Sequence, residues 1–161
     1  MGAIRKILVP TDFSAHADEA FRAAYTLAQA VGAEMILFHI ARPPAVVVEG
    51  GRFLANPGKA EAVNLWDRFQ ELQPKNPRVR VQHEVIVADR PGPAHILDLL
   101  DRLGCDLIVM GTHGHTWLRH RLFGSVTEEV VRRARCPVMV VKAPTSAPDA
   151  PAPEPVQASK G

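Results

Sequence analysis

The chain has 161 residues, 47% of them hydrophobic and 22% charged, and its 19 basic and 17 acidic side chains leave a formal charge of +2. That length suits one domain with a real core, and a near-balanced charge mixed along the sequence offers no broad field to nucleic acid or to an anionic membrane. The apolar runs are strand-sized, no secretory leader is visible, and the two cysteines, Cys105 and Cys136, lack CxxC spacing, so a membrane span, a disulfide framework and a zinc cluster drop out and a cytoplasmic protein is expected.

Ile4 to Val9 is an apolar run followed by Pro10, which predicts a buried strand stopped by a residue without an N–H. From Ser14, Ala17, Ala20, Phe21, Ala24, Leu27, Ala28 and Val31 recur at helical spacing, with Asp18 and Glu19 near the start and Gly32 at the end. Glu34 to Ile40 predicts a second strand, closed by Pro43 and Pro44 before a Gly- and Pro-containing segment that lasts to Gly58. A helix is expected over Lys59 to Leu72 on the stripe Ala62, Leu65, Trp66, Phe69 and Leu72, with Trp66 and Phe69 in the core. Pro74 and Pro77 prevent it from continuing. Val79, Val81, Val85 and Val87 mark a third strand from Arg78 to Val87.

Pro93 opens a helix whose stripe is Ile96, Leu97, Leu100 and Leu103, ending at Gly104. Asp106 to Met110 is a fourth strand, Ser125 to Arg135 a short helix with Arg132, Arg133 and Arg135 at its negative end, and Val138 to Lys142 the last strand. Each cysteine stands just before a strand, where a reduced, buried thiol packs like any small apolar residue. His16, His39, His83 and His95 share no spacing and are expected to be structural.

Strands alternating with helices imply right-handed βαβ units. The fold class is therefore α/β, a doubly wound, Rossmann-like five-stranded parallel sheet with helices on both faces. The domain spans residues 1–143. Residues 144–161 form a Pro/Ala-rich tail expected to be disordered, with five of the 14 prolines between Pro144 and Pro155.

Sheets of this kind bind ligands beyond the carboxyl ends of their strands. The exits are Pro10-Thr11-Asp12, Ile40-Ala41, Val87-Ala88-Asp89 and the loop after the fourth strand. The stretch Met110 to Val126, MGTHGHTWLRHRLFGSV, confines three glycines and three histidines to that loop, a composition compatible with phosphate, a metal or plain turn geometry. Gly111 and Gly114 permit positive φ and close approach of a ligand to bare backbone. Ser125-Val-Thr-Glu128 fits a capping box with Ser125 as N-cap and Glu128 at N3, so unpaired N–H groups and a positive helix end face the loop, suited to phosphate.

His113, His115 and His120 raise a zinc site, but no cysteine or carboxylate lies near to complete four ligands. Magnesium or manganese bridging bound phosphates agrees better with the preference of these ions for oxygen. Trp117 is expected to be a lid or a dimer contact. Arg119 and Arg121 are expected to serve solubility.

The spacing is neither a Walker loop nor a Rossmann fingerprint. The pattern G-x-x-G, nine residues, G-S, at Gly111, Gly114, Gly124 and Ser125, resembles the nucleotide-binding signature of the universal stress protein family in its ATP-binding branch. The resemblance runs from Ile4 to Lys142 and includes the opening Ile-Leu-Val-Pro-Thr-Asp-Phe-Ser and the closing Cys-Pro-Val-Met-Val-Val-Lys. It implies a five-stranded α/β domain, often homodimeric through its last strand, that takes adenine against the second strand and phosphates in the glycine loop.

Carried over by position, the family's contacts to ATP fall on Pro10, Thr11, Asp12, Ile40, Ala41, Met110, Gly111, His113, Gly114, Gly124, Ser125, Val126 and Thr127. Asp12 would accept from ribose hydroxyls, a role compatible with capping the helix entry; Thr11 and Ile40 would offer backbone groups to the base, Ser125 and Thr127 hydroxyls to phosphate, and Met110 apolar contact. With no P-loop lysine and no catalytic constellation, no catalytic residue is assigned. The expected function is a regulatory, nucleotide-dependent switch in stress response, read by a protein partner that the sequence does not identify. A slow ATP hydrolase and a ligand-free dimeric scaffold are the alternatives.

Overall fold

Five strands, β1 (Lys6–Thr11), β2 (Glu34–Ala41), β3 (Val81–Val87), β4 (Leu107–Gly111) and β5 (Val138–Val141), form one parallel sheet in the order β3-β2-β1-β4-β5. Among the described residues, α1 (Ala15–Val31), α2 (Pro93–Leu103) and α3 (Ser125–Arg133) accompany them. The computed structural model describes residues 3–41, 65, 67–72, 78–88, 92–112 and 124–142. Within the helix expected over Lys59 to Leu72, residues 65 and 67–71 are helical. Its earlier residues, Trp66, the 42–58 segment and the 144–161 tail lie outside the described residues.

Burial on both faces explains why the central strands are continuous apolar runs rather than alternating ones. Ile7, Val9, Met35, Leu37, Leu107 and Val109 face Ala20, Phe21, Ala24 and Ala28 of α1, together with Phe69. Their neighbours Leu8, Ile36, Phe38, Ile108 and Met110 face Ile96, Leu99 and Leu100 of α2 and Val130 of α3. Period-two side-chain direction in the strands thus feeds two separate cores. Both long helices end as the sequence predicts: Ser14 Oγ accepts from the Ala17 N–H, and Gly32 and Gly104 close α1 and α2 at φ 71° and 61°.

The first strand begins later than expected, and Pro10 does not stop it. Pairing of β1 with β2 continues to Thr11↔His39, whereas pairing of β1 with β4 comprises Ile7↔Leu107 and Leu8↔Ile108. A residue without an N–H ends one ladder and leaves the other intact, so the sheet parts between β1 and β4 toward their carboxyl ends. At the opposite end the same two strands are stitched: Asp106 Oδ2 accepts from the N–H groups of Arg5 (2.9 Å) and Lys6 (3.0 Å), and the Asp106 N–H donates to Lys6 O (2.9 Å).

Other boundaries also differ. β3 starts at Val81 rather than Arg78, β2 and β4 each extend one residue further, and β5 ends at Val141 rather than Lys142. α3 stops at Arg133 because Ala134 is extended (φ −63°, ψ 141°), leaving Arg135 outside the helix. Cys105 is buried, and Cys136, expected buried, is partly exposed; both are free thiols. Burial pushes the Cys105 thiol up to about 11 and raises that of Cys136 too, so neither is an activated nucleophile. Among the described residues no helix is long and apolar enough to cross a membrane.

Candidate functional site

The order β3-β2-β1-β4-β5 reverses direction between β1 and β4, which is where an open α/β sheet leaves a crevice at its carboxyl end. On one wall of it, the turn from β1 to α1 is built from side-chain oxygens that accept from the backbone ahead of them. Thr11 Oγ1 accepts from the Phe13 N–H (3.0 Å), Asp12 Oδ1 from the Ser14 N–H (3.0 Å), and Ser14 Oγ from the Ala17 N–H (3.3 Å). Asp12 therefore does shape the helix entry, through one carboxylate oxygen. Phe13 adopts φ 59°, the one left-handed non-glycine among the described residues, a strained state for a bulky side chain.

A ring cluster lies beneath that turn. The Phe13 ring is 4.7 Å from the His39 ring and 5.2 Å from Phe69, and Phe69 is 5.0 Å from His83. His39 Nδ1 donates to Thr11 O (2.8 Å), which occupies one lone pair of a carbonyl that the sequence offers to a base. Arg68 donates through Nη2 to Phe13 O (2.7 Å), and its guanidinium carbon stands 5.5 Å from the centre of the Phe13 ring. Burial lowers the His83 pKa and favours its neutral imidazole.

The other wall is held by backbone. Thr112, itself buried, donates its N–H to Val141 O (3.1 Å) and accepts at its carbonyl from the Gly124 N–H (2.7 Å), which brings the start of α3 beside the end of β4. Thr127 Oγ1 donates to Gly111 O (3.0 Å), so its hydroxyl proton is committed and the backbone N–H is the donor it retains for a ligand. Gly111 was expected to permit positive φ for a ligand's sake. Its backbone is not left-handed, and a Cβ there would meet His16 O at 2.7 Å, so α1 occupies the space a side chain would need.

The capping box is also corrected. Gly124 is the N-cap (φ −64°, ψ 153°) and makes no side-chain cap bond; Ser125 already has helical backbone, which takes its hydroxyl out of the capping position. The Glu128 N–H closes the first turn onto Gly124 O (3.0 Å). The amides of Ser125, Val126 and Thr127 precede that bond, so the positive helix end survives the change of cap residue.

Replacing Thr127 with valine keeps the shape and removes the hydroxyl, leaving Gly111 O without its buried donor. Stability is expected to fall by about 1–3 kcal/mol, as measured by urea unfolding, and an unchanged midpoint would rule out the clamp.

The candidate residues thus gather from three strand exits and one helix start: Pro10, Thr11 and Asp12 after β1, Ile40 and Ala41 ending β2, Met110 and Gly111 ending β4, and Gly124 to Thr127 opening α3. Met110 is 5% exposed and packs within the α2/α3-side core, so its apolar contacts are with the protein. His113 and Gly114 lie outside the described residues, as do His115, Trp117, Arg119, His120, Arg121 and Asp89. Among the described residues no group of three His, Cys, Asp or Glu side chains could hold a metal. Sequence reasoning missed His39, Phe13 and Arg68 as supports of the site, and adjacency to Ile40 was the one clue to His39.

The family described as the universal stress protein family matches residues 3–142. The chain is 32% identical over 152 residues to the universal stress protein MJ0531 of Methanocaldococcus jannaschii, covering 87% of this chain and 83% of that one. Among solved structures, it is similar to the universal stress protein UspA from Lactobacillus plantarum, with a TM-score of 0.70 at 24% identity over 88% of this chain and 99% of that one. It is also similar to a universal stress protein in complex with cAMP (TM-score 0.65, 22% identity, 89% and 100% covered). A third is the universal stress protein from Archaeoglobus fulgidus in complex with dAMP (0.56, 22%, 86% and 98%).

Proposed function

The chain belongs to the universal stress protein family, and from that premise we propose that it binds an adenine nucleotide, ATP foremost, and acts as a nucleotide-dependent regulatory switch in stress response. What supports this reading is that Asp12 and Ile40-Ala41 stand at the carboxyl ends of β1 and β2, the end toward which the β1/β4 pairing stops, and that α3 opens after β4. Ribose hydroxyls bond to Asp12, the base lies against Ile40 and Ala41, and phosphates take the amides of Ser125, Val126 and Thr127, with Gly114 and His113 in the loop between.

Magnesium or manganese enters with the phosphates, through their oxygens rather than a cluster of protein ligands. Two similar structures hold cAMP and dAMP, which supports adenine as the recognised group while leaving phosphate number to this chain. Occupancy changes the glycine loop or the dimer surface, and a partner protein reads that change. Residues 1–143 form the binding domain, 144–161 a tail, and the protein works in the cytoplasm. The homodimer forms along the edge strand β5, where Met139 is 41% exposed.

Native mass spectrometry of the purified chain, followed by calorimetric titration with ATP and magnesium, tests the reading. One adenine nucleotide per chain is expected, displaced by excess ATP. No retained nucleotide and no heat on titration would overturn it. Steady release of ADP, abolished by Gly114→Ala, would turn the switch into a hydrolase.

A further inference from the structure

The turn that carries Asp12 is held by more than its own Thr11, Asp12 and Ser14 side chains. Phe13 holds φ 59°, a state that a bulky side chain leaves unless its surroundings determine it. One group that grips it comes from far along the chain. Arg68 Nη2 donates to Phe13 O at 2.7 Å, the same guanidinium covers the Phe13 ring at 5.5 Å, and Nη1 pairs with Glu71 at 2.9 Å. One planar fork thus grips both the carbonyl and the ring of the residue next to Asp12, while Glu71 orients it from the following helical turn. Phe69, adjacent to Arg68 and 1% exposed, anchors that helix in the core.

We propose that Arg68 is a positioning residue of the nucleotide site, holding the Asp12-Phe13 turn in the conformation that aims Asp12 at the ribose. The inference rests on the nucleotide-binding reading above and adds to it a residue that touches no ligand. The contact ties the turn to the helical residues 67–71, which are far from it in sequence. A shift of this helix then changes affinity without altering any contact residue. Lysine replaces Arg68 only in part, since an ammonium lacks the two-pronged planar geometry.

The test is calorimetric titration of ATP and of 2′,3′-dideoxy-ATP into the unaltered chain, Arg68→Met, Arg68→Lys, Asp12→Asn and the Arg68→Met/Asp12→Asn double variant. Arg68→Met is expected to weaken ATP about tenfold while changing the dideoxy analogue little. Arg68→Lys should recover part of that loss, and the double variant should bind no more weakly than Asp12→Asn alone. Arg68 is partly exposed, so the melting temperature of each single variant at that position should stay close to that of the parent. If the methionine variant unfolds, the ATP-to-analogue ratio of the lysine variant decides.

Undiminished ATP binding would overturn the proposal, as would equal weakening toward both nucleotides with additive losses in the double variant. Absence of binding by the unaltered chain would overturn the nucleotide reading, and this proposal with it.

Discussion

Phe69→Ala is expected to destabilise the chain by about 3–5 kcal/mol, the cost of truncating a buried aromatic residue. Phe69 is 1% exposed and belongs to the core cluster that joins α1 to the sheet. Its ring meets Phe13 at 5.2 Å and His83 at 5.0 Å in edge contacts, and His39 at 6.4 Å. Alanine leaves a cavity, and the packed strands around it, anchored by Ile7, Val9 and Leu37 at 0% exposure, have little freedom to fill it. For a chain of this size that loss corresponds to a fall in melting temperature of roughly 10 °C.

Nucleotide affinity should fall as well, measured at a temperature where the variant is folded, because Phe13 and His39 lose the ring against which they are set. Phe69→Leu should restore about half of the stability or more by refilling volume, without the edge contacts. A destabilisation below about 1 kcal/mol for the alanine variant would mean that the ring is not the wedge described.

Element types were legible because periodicity is local. Alanines and leucines at helical spacing identified α1 and α2, and the glycines at positions 32 and 104 marked their ends, each in the left-handed conformation that only a residue without a Cβ adopts freely. What escaped depended on neighbours. Pro10 looks like a stop in one dimension, but a central strand has two ladders and the missing N–H ended only one of them. The pattern Ser-x-x-Glu fits a capping box at Ser125, yet Gly124 is an acceptable cap too, and the sequence does not say which residue turns helical first.

The supports beneath the site were less legible still. Phe13, His39, Arg68 and His83 come from four separated segments, and no spacing connects them before the sheet forms. Their assembly also divides the site into two mechanically different walls. Side chains and rings hold the β1 exit; peptide groups and one threonine hydroxyl hold the β4 exit. Polar substitutions on the first wall should therefore alter affinity with the fold kept, while backbone-level changes on the second should alter both.

Gly111→Ala examines that second wall most directly. The added methyl carbon would lie 2.7 Å from His16 O, 2.8 Å from His16 C and 2.9 Å from His16 Cβ. Two of those atoms are backbone, so relief requires α1 itself to move. The helix is pressed on the sheet through Ala20, Ala24 and Ala28, each at 0% exposure, and cannot retreat without opening those contacts.

Stability should drop by about 1–3 kcal/mol, the range for overpacking a filled interior. The loss should appear in the nucleotide-free protein. Binding should weaken in parallel, because the start of α1 carries the Ser14 cap and, two residues before it, Asp12, while Gly111 O receives the Thr127 hydroxyl from α3. A glycine needed only to admit a ligand would behave differently: its alanine variant would melt with the parent and lose affinity alone. Thermal unfolding of the nucleotide-free variant separates the two roles, and an unchanged midpoint would return Gly111 from packing to ligand approach.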